Sequence, residues 1–277
     1  MIEHIYICRH GFRSSSQTTI WHNVTGTPED YSLSAYGIQQ ADELASFLLS
    51  QKDHPIEAVF SSPYYRCLQT IEPFSKAAGL PIHIEQGFSE FYRPIKTETD
   101  VISRPATKST PELAKYFSPG TIITPDRPPS SPLEQYLDPM KIPNPNGETV
   151  PQLRERVAFT LQMLIYTLEK KYPTLRSIVI CTHAAIDIVI GRVLLNDMSK
   201  EIRCGCATVC HYRRIYYEKN GKNTTTVAKW DILLNGSHSH LSGGEERNWS
   251  FEDIAEEWQD VDTPAISNPP LELSSKL

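Results

Sequence analysis

No run of apolar residues in this 277-residue sequence is long enough to cross a membrane, and the N-terminus lacks a signal peptide's basic and apolar regions. Net positive charge is missing too. A formal charge of −6 and a pI near 5.9 exclude a surface built to hold nucleic acid, so any phosphate site must be a local concentration of cations. Cysteine is sparse: six residues and no leader imply reduced thiols in a cytoplasmic or nuclear protein. There is no tandem repeat. The group Cys204-Gly-Cys206…Cys210-His211 invites a zinc reading. In an extended strand, however, Cys206 and Cys210 stand about 13 Å apart, so no metal or other cofactor is expected. Cys8 and Arg13 are one residue too close for the Cys-x5-Arg loop of a cysteine phosphatase, which leaves Cys8 as core packing.

What is present is an ordinary globular composition, 39% hydrophobic and 22% charged. The periodicity predicts alternating strands and helices. Strands are expected over Ile2–Cys8, Ile56–Ser61, Pro81–Glu85 and Ser177–Cys181, with a hairpin of Cys204–Tyr217 and Thr224–Leu234. Helices are expected over Leu33–Gln51 behind a Ser34 cap, from Pro63 to about Ala78, over Val150–Tyr172 and over Ala184–Leu195. The fold class is therefore α/β: one domain over residues 1–262, a mostly parallel central sheet with helices on both faces, a three-layer sandwich. About half of the chain's 21 prolines fall between Pro94 and Gly147, which marks an irregular insertion over about 94–146. Ser250-Phe-Glu-Asp253 has the form of a capping box before an acidic helix whose apolar face is Phe251, Ile254, Ala255, Trp258 and Val261. Such a face packs on its own domain or docks a partner. Residues 263–277 read as a disordered tail.

The chemistry lies where strands end. Ile5-Tyr-Ile-Cys-Arg-His-Gly-Phe-Arg-Ser14 runs from an apolar strand straight into Arg9, His10, Gly11 and Arg13. Ile180-Cys-Thr-His183 echoes it, and Val59-Phe-Ser61 leads into the helix carrying Arg66. In a parallel sheet the strand C-termini share one edge, so Arg9, His10, Arg13, Arg66 and His183 are expected at one crevice. Arginine forks match phosphate oxygens, and a neutral imidazole can attack phosphorus. This set lacks an acid for the leaving alkoxide.

Arg-His-Gly after the first strand, Ser-Ser-Pro-x-x-Arg66 after the second and Thr-His-Ala after a later one resemble the histidine phosphatase superfamily, phosphoglycerate mutase-like in fold. Leu33-Ser34-x-x-Gly37-x-x-Gln40-Ala41, Gln69-Thr70 and Gly147-Glu148-Thr149 with Arg156 extend the match. The resemblance implies a metal-independent phosphatase in which His10 accepts the phosphoryl group. Arg9, Arg66 and His183 would complete the pocket, with Arg13 added as in the acid-phosphatase and phosphotyrosine-acting branches. It also implies an acid within Phe88-Ser89-Glu90-Phe91-Tyr92-Arg93-Pro94, and Glu90 is assigned as proton donor, held protonated by an apolar setting. The family's usual Gly-Trp-Gly-like segment after the acid is replaced here by Tyr92-Arg93-Pro94.

Together with RHGFRS and SSPYYRCLQT, the segment from Leu234 through Leu241-Ser-Gly-Gly-Glu-Glu-Arg-Asn-Trp249 resembles a fungal branch. That branch contains the phosphatase-domain tau subunit of the RNA polymerase III factor TFIIIC, and a stand-alone relative. A chain ending at Leu277 is expected to match the stand-alone form. Three functions follow. One is a phosphatase acting on a phosphorylated small molecule or phosphoprotein. Another is a silent or weakly active scaffold with TFIIIC subunits as partners. The last is a mutase that returns the phosphoryl group to a second hydroxyl.

Overall fold

A computed structural model describes residues 1–16, 23–94, 106–123, 142–219 and 225–253. Six strands, β1 His4–Arg9, β2 Ala58–Ser61, β3 Ile82–Ile84, β4 Ser177–Thr182, β5 Val209–Lys219 and β6 Thr225–Ser237, form one sheet in the order β3-β2-β4-β1-β5-β6. The four strands from β3 to β1 are parallel, and β5 is antiparallel to both β1 and β6. The helices are α1 Ala35–Leu49, α2 Tyr65–Ala78, α3 Thr110–Ala114, α4 Val150–Lys171 and α5 Ala184–Leu195.

Three layers follow from the alternation of side chains along each strand. On one face Ile5, Ile7, Ile178 and Ile180 meet Leu153, Val157, Leu161 and Ile165 of α4 and the apolar side of α5. On the other, Tyr6, Cys8, Val179 and Cys181 meet Leu44 and Leu48 of α1 and Leu68, Ile71 and Phe74 of α2. Sidedness explains why β1 and β4 read as unbroken apolar runs: both of their faces are buried. The expected α/β class and mostly parallel sheet are observed.

Helix starts are set by side-chain caps. Ser34 Oγ accepts from Gly37 N–H at 3.0 Å, and Thr149 forms a capping box with Gln152 at the head of α4. Two expectations need correction. The stretch 94–146 is not irregular throughout: Ser109 and Glu112 make a capping box, Pro111 sits in the first turn of α3, and Leu113 and Ile122 are buried in the core beside α2. Ile122 also bridges Ile82 of β3. Cys204 and Cys206 precede β5 rather than lying in it, because the chain turns there, with Ala207 at φ 54°. Only Phe251–Asp253 of the expected C-terminal helix is described, as a single 3-10 turn; its remainder and residues 263–277 lie outside the described residues.

Candidate functional site

At the C-terminal end of β1 the loop Arg9-His10-Gly11-Phe12 is held by other elements. Gly11 N–H donates to Thr70 Oγ1 at 3.0 Å, Phe12 N–H to Gln40 Oε1 at 2.9 Å, and Leu33 N–H to Gln69 Oε1 at 2.8 Å. A Cβ on Gly37 would lie 2.2 Å from Phe12 O, so the N-terminus of α1 approaches this loop only because the residue is glycine. Gly37 and the side chains of Gln40, Gln69 and Thr70 thus shape the site rather than react.

His10 is buried, and its Nδ1 lies 2.8 Å from Gly11 O. A carbonyl can only accept, so Nδ1 carries the proton and Nε2 keeps its lone pair. Burial first, then Arg66, Arg9 and His183, hold the His10 pKa well below 6.5 and keep the ring neutral. Arg9 donates through Nη1 to Cys204 O at 2.8 Å and Arg247 O at 2.6 Å, while its buried Nε has no partner among the described residues.

The ends of β2 and β4 supply the other half. Arg66, fully buried in the first turn of α2, reaches Glu90 Oε2 at 3.0 Å, Glu29 O at 3.2 Å and Asp30 at 3.8 Å. His183, immediately before α5, has Nε2 2.8 Å from Ser62 Oγ and Nδ1 3.1 Å from Glu90 Oε2. Cys67 Sγ sits 3.6 Å from His183 Nε2. Burial works against charge on His183, but Cys67 and Glu90 outweigh it and raise its pKa.

Glu90 stands between these groups, and here the expected state differs. An apolar setting was to keep it protonated. Burial does raise its pKa, yet His183, then Arg66, hold it well below the usual carboxylate range. Its carboxylate occupies the position between Arg66 and His183 that suits a phosphate oxygen. The turn leading to it is fixed by Arg156, whose Nη1 donates to Gly87 O at 2.6 Å and Ser89 O at 3.2 Å while Glu148 grips the rest of the fork at 2.7 Å.

Two cavities, of about 320 and 400 Å³, flank His10 and share Arg9, His10, Arg13 and Trp249. The larger also meets Glu90 and the aromatic rings of Tyr31, Phe91 and Tyr92. All six sequence-predicted residues therefore meet in one region: Arg9, His10, Arg13 and Glu90 face the cavities, with Arg66 and His183 directly behind Glu90. Among the described residues, His10, Glu90 and His183 are the one group whose ligating atoms all lie within 4.8 Å of one another, which is metal-like spacing; the 204–210 cysteines form no such group. Arg66 against the same carboxylate makes the setting better suited to an anion than a cation. Ser62, Cys67 and the wall from Arg247 to Trp249 had no assigned role. Ser62 and Cys67 were visible inside Ser-Ser-Pro-x-x-Arg66-Cys67, whereas Arg247 is 238 positions from Arg9 and gave no local signal.

Comparison with known proteins agrees with this geometry. Residues 5–99 match the histidine phosphatase superfamily (branch 1). The chain is 34% identical over 95% of its length to the transcription factor tau 55 kDa subunit of Saccharomyces cerevisiae, and spans 61% of that relative. Among solved structures it resembles the ecdysone phosphate phosphatase of Bombix mori at 15% identity and a TM-score of 0.56, covering 81% of this chain and 92% of that one. A mycobacterial glucosyl-3-phosphoglycerate phosphatase is similar at 14% identity and a TM-score of 0.51, covering 85% and 99%. Those two likenesses establish the fold. The motifs and the sheet agree with the match of residues 5–99 to the histidine phosphatase superfamily.

Proposed function

We propose that this chain hydrolyses phosphomonoesters through a phosphohistidine on His10, with no metal in the reaction. The supporting observation is the Nδ1–Gly11 hydrogen bond, which leaves Nε2 unprotonated at the cavity wall. Nε2 attacks phosphorus as the ester P–O bond breaks, with Arg9, Arg13, Arg66 and His183 holding the equatorial oxygens. A dianionic phosphoryl group entering beside Glu90 raises the pKa of that carboxyl, which then carries the proton given to the leaving oxygen. As a carboxylate it next takes a proton from the water that attacks the phosphohistidine, releasing orthophosphate and neutral His10. The rings of Tyr31, Phe91, Tyr92 and Trp249 suit an aryl leaving group such as that of phosphotyrosine. Hydrolysis of 4-nitrophenyl phosphate is expected to survive a chelator and to fall by about 10³-fold or more in His10→Ala. Loss of activity on chelation, or retention in the variant, would overturn the reading.

A second reading rests on the similarity to the tau 55 kDa subunit: the chain is a nuclear subunit or partner of a TFIIIC-like assembly. That similarity supports the assembly more directly than anything supports one substrate, and it is compatible with a working pocket. Affinity purification of the tagged chain from its own cells is expected to recover other TFIIIC subunits. Recovery of the chain alone would count against the assembly and leave the hydrolysis reading in place.

A further inference from the structure

We propose that Arg247 forms a second anion subsite beside His10, so that the preferred substrate carries another acidic group, phosphate or carboxylate, near the phosphoryl group being removed. The substrate half of this inference rests on the phosphatase reading; the anion site itself does not. The smaller cavity is lined by Arg9, His10, Arg13, Cys206, Arg247, Asn248 and Trp249, with no carboxylate among them. The larger one contains Glu29 and Glu90. Carboxylates thus line only one of the two sides of His10. One phosphoryl group on His10 engages Arg9, Arg13 and Arg66, which leaves the Arg247 fork over. Arg247 has no acidic side chain within ion-pair distance among the described residues, although the protein as a whole is acidic.

Arg247 is also held where an idle surface arginine would not be. Its φ of 50° lies in the left-handed region, unfavourable for a residue with a Cβ. The conformation persists because both flanks are tied down. Cys206 N–H donates to Glu246 O at 2.9 Å, Cys204 N–H donates to Asn248 Oδ1 at 2.7 Å, and Arg9 gives one of its own donors to Arg247 O. The guanidinium lies over the Phe12 ring, 4.8 Å from its centroid, at the cavity rim. Strain of this kind, over-determined by neighbours, collects at ligand clamps. The same Arg9 fork that faces the phosphoryl position therefore fixes the second subsite at a set offset from it.

The test is calorimetric binding of non-hydrolysable probes: methylphosphonate, with one anionic group, against methylenediphosphonate and propane-1,3-diphosphonate, with two. For the wild type, at least one diphosphonate is expected to bind about tenfold more tightly than methylphosphonate, the gain of one arginine–phosphate contact. Arg247→Gln is expected to abolish that gain while leaving methylphosphonate within about twofold. Arg213→Gln removes the same charge at an exposed position of β5 and is expected to leave the gain intact. Equal affinity for all probes, or equal weakening of all by Arg247→Gln, would overturn the subsite alone. Failure of methylphosphonate to bind, with a diphosphonate gain that Arg247→Gln removes, would sink the phosphoryl reading and keep the subsite. No binding by any probe would sink both.

Discussion

At the scale of single residues, protonation states decide what the pocket does. The pKa of His10 is depressed, so the nucleophilic form persists below pH 6.5 instead of being lost there. The value of kcat/KM for 4-nitrophenyl phosphate, corrected for the substrate's own ionisation, is expected to show no acid limb near 6.5. A limb centred at 6.5 or above would mean that His10 is not the buried neutral base described. Glu90 is the reverse case: ionised when the pocket is empty, it is needed as an acid only after the phosphoryl group arrives. Glu90→Gln should therefore lower kcat/KM for phenyl phosphate by about 10²–10⁴-fold and for 4-nitrophenyl phosphate far less, since nitrophenolate leaves without a proton. Equal losses on both substrates would make Glu90 a packing or binding residue.

At the scale of elements, the buried pair Arg156–Glu148 ties α4 to the turn that carries Glu90. Arg156→Met strands a buried carboxylate and is expected to lower unfolding free energy by about 3–5 kcal/mol in urea, while Glu148→Gln, which keeps an acceptor, costs less. A change below about 1 kcal/mol in Arg156→Met would show that the clamp is dispensable. Much of this layer was legible in the sequence. The apolar runs of β1 and β4, the Ser34 cap and the strand-end placement of His10 and His183 are local signals, and parallel strands bring their C-termini to one edge without further information. What escaped depends on contacts between distant segments. The state of Glu90 is set by His183 and Arg66 rather than by its own neighbours in sequence. The Ser109–Glu112 capping box of α3 was present in the letters but was outweighed by the surrounding prolines. The alternation of Cys204, Cys206 and Cys210 imitated a strand, where a turn through Ala207 instead carries Cys204 O to Arg9.

At the scale of the whole molecule, the two ends of β1 differ in chemistry. Its C-terminal end feeds the phosphate pocket, and its N-terminal end buries His4 against His211, with Nδ1 and Nε2 2.9 Å apart. One ring must donate and the other accept, so protonating both sets N–H against N–H. Burial, then the neighbouring histidines, lower the His4 pKa to about 4 and the His211 pKa to about 3. Folded values below the unfolded 6.5 mean that the unfolded chain takes up protons first as pH falls, so stability is lost from about pH 6.5 downward. His183, with its raised pKa, works in the opposite sense, so the effect is best read as a difference. Between pH 7 and 5 the wild type is expected to lose on the order of 2 kcal/mol more per imidazole than His4→Phe/His211→Phe, in urea unfolding at each pH. Parallel curves for the two proteins would contradict it. The covalent step at His10 underlies the proposed hydrolysis, and rapid-quench mass spectrometry during turnover of an aryl phosphate reads that step directly. A phosphoryl group on His10, labile to acid and stable to base, is predicted in the wild type and in larger amount in Glu90→Gln with 4-nitrophenyl phosphate, where the water attack is slowed. Turnover with no phosphorylated His10 peptide at any quench time would contradict the mechanism at its first bond.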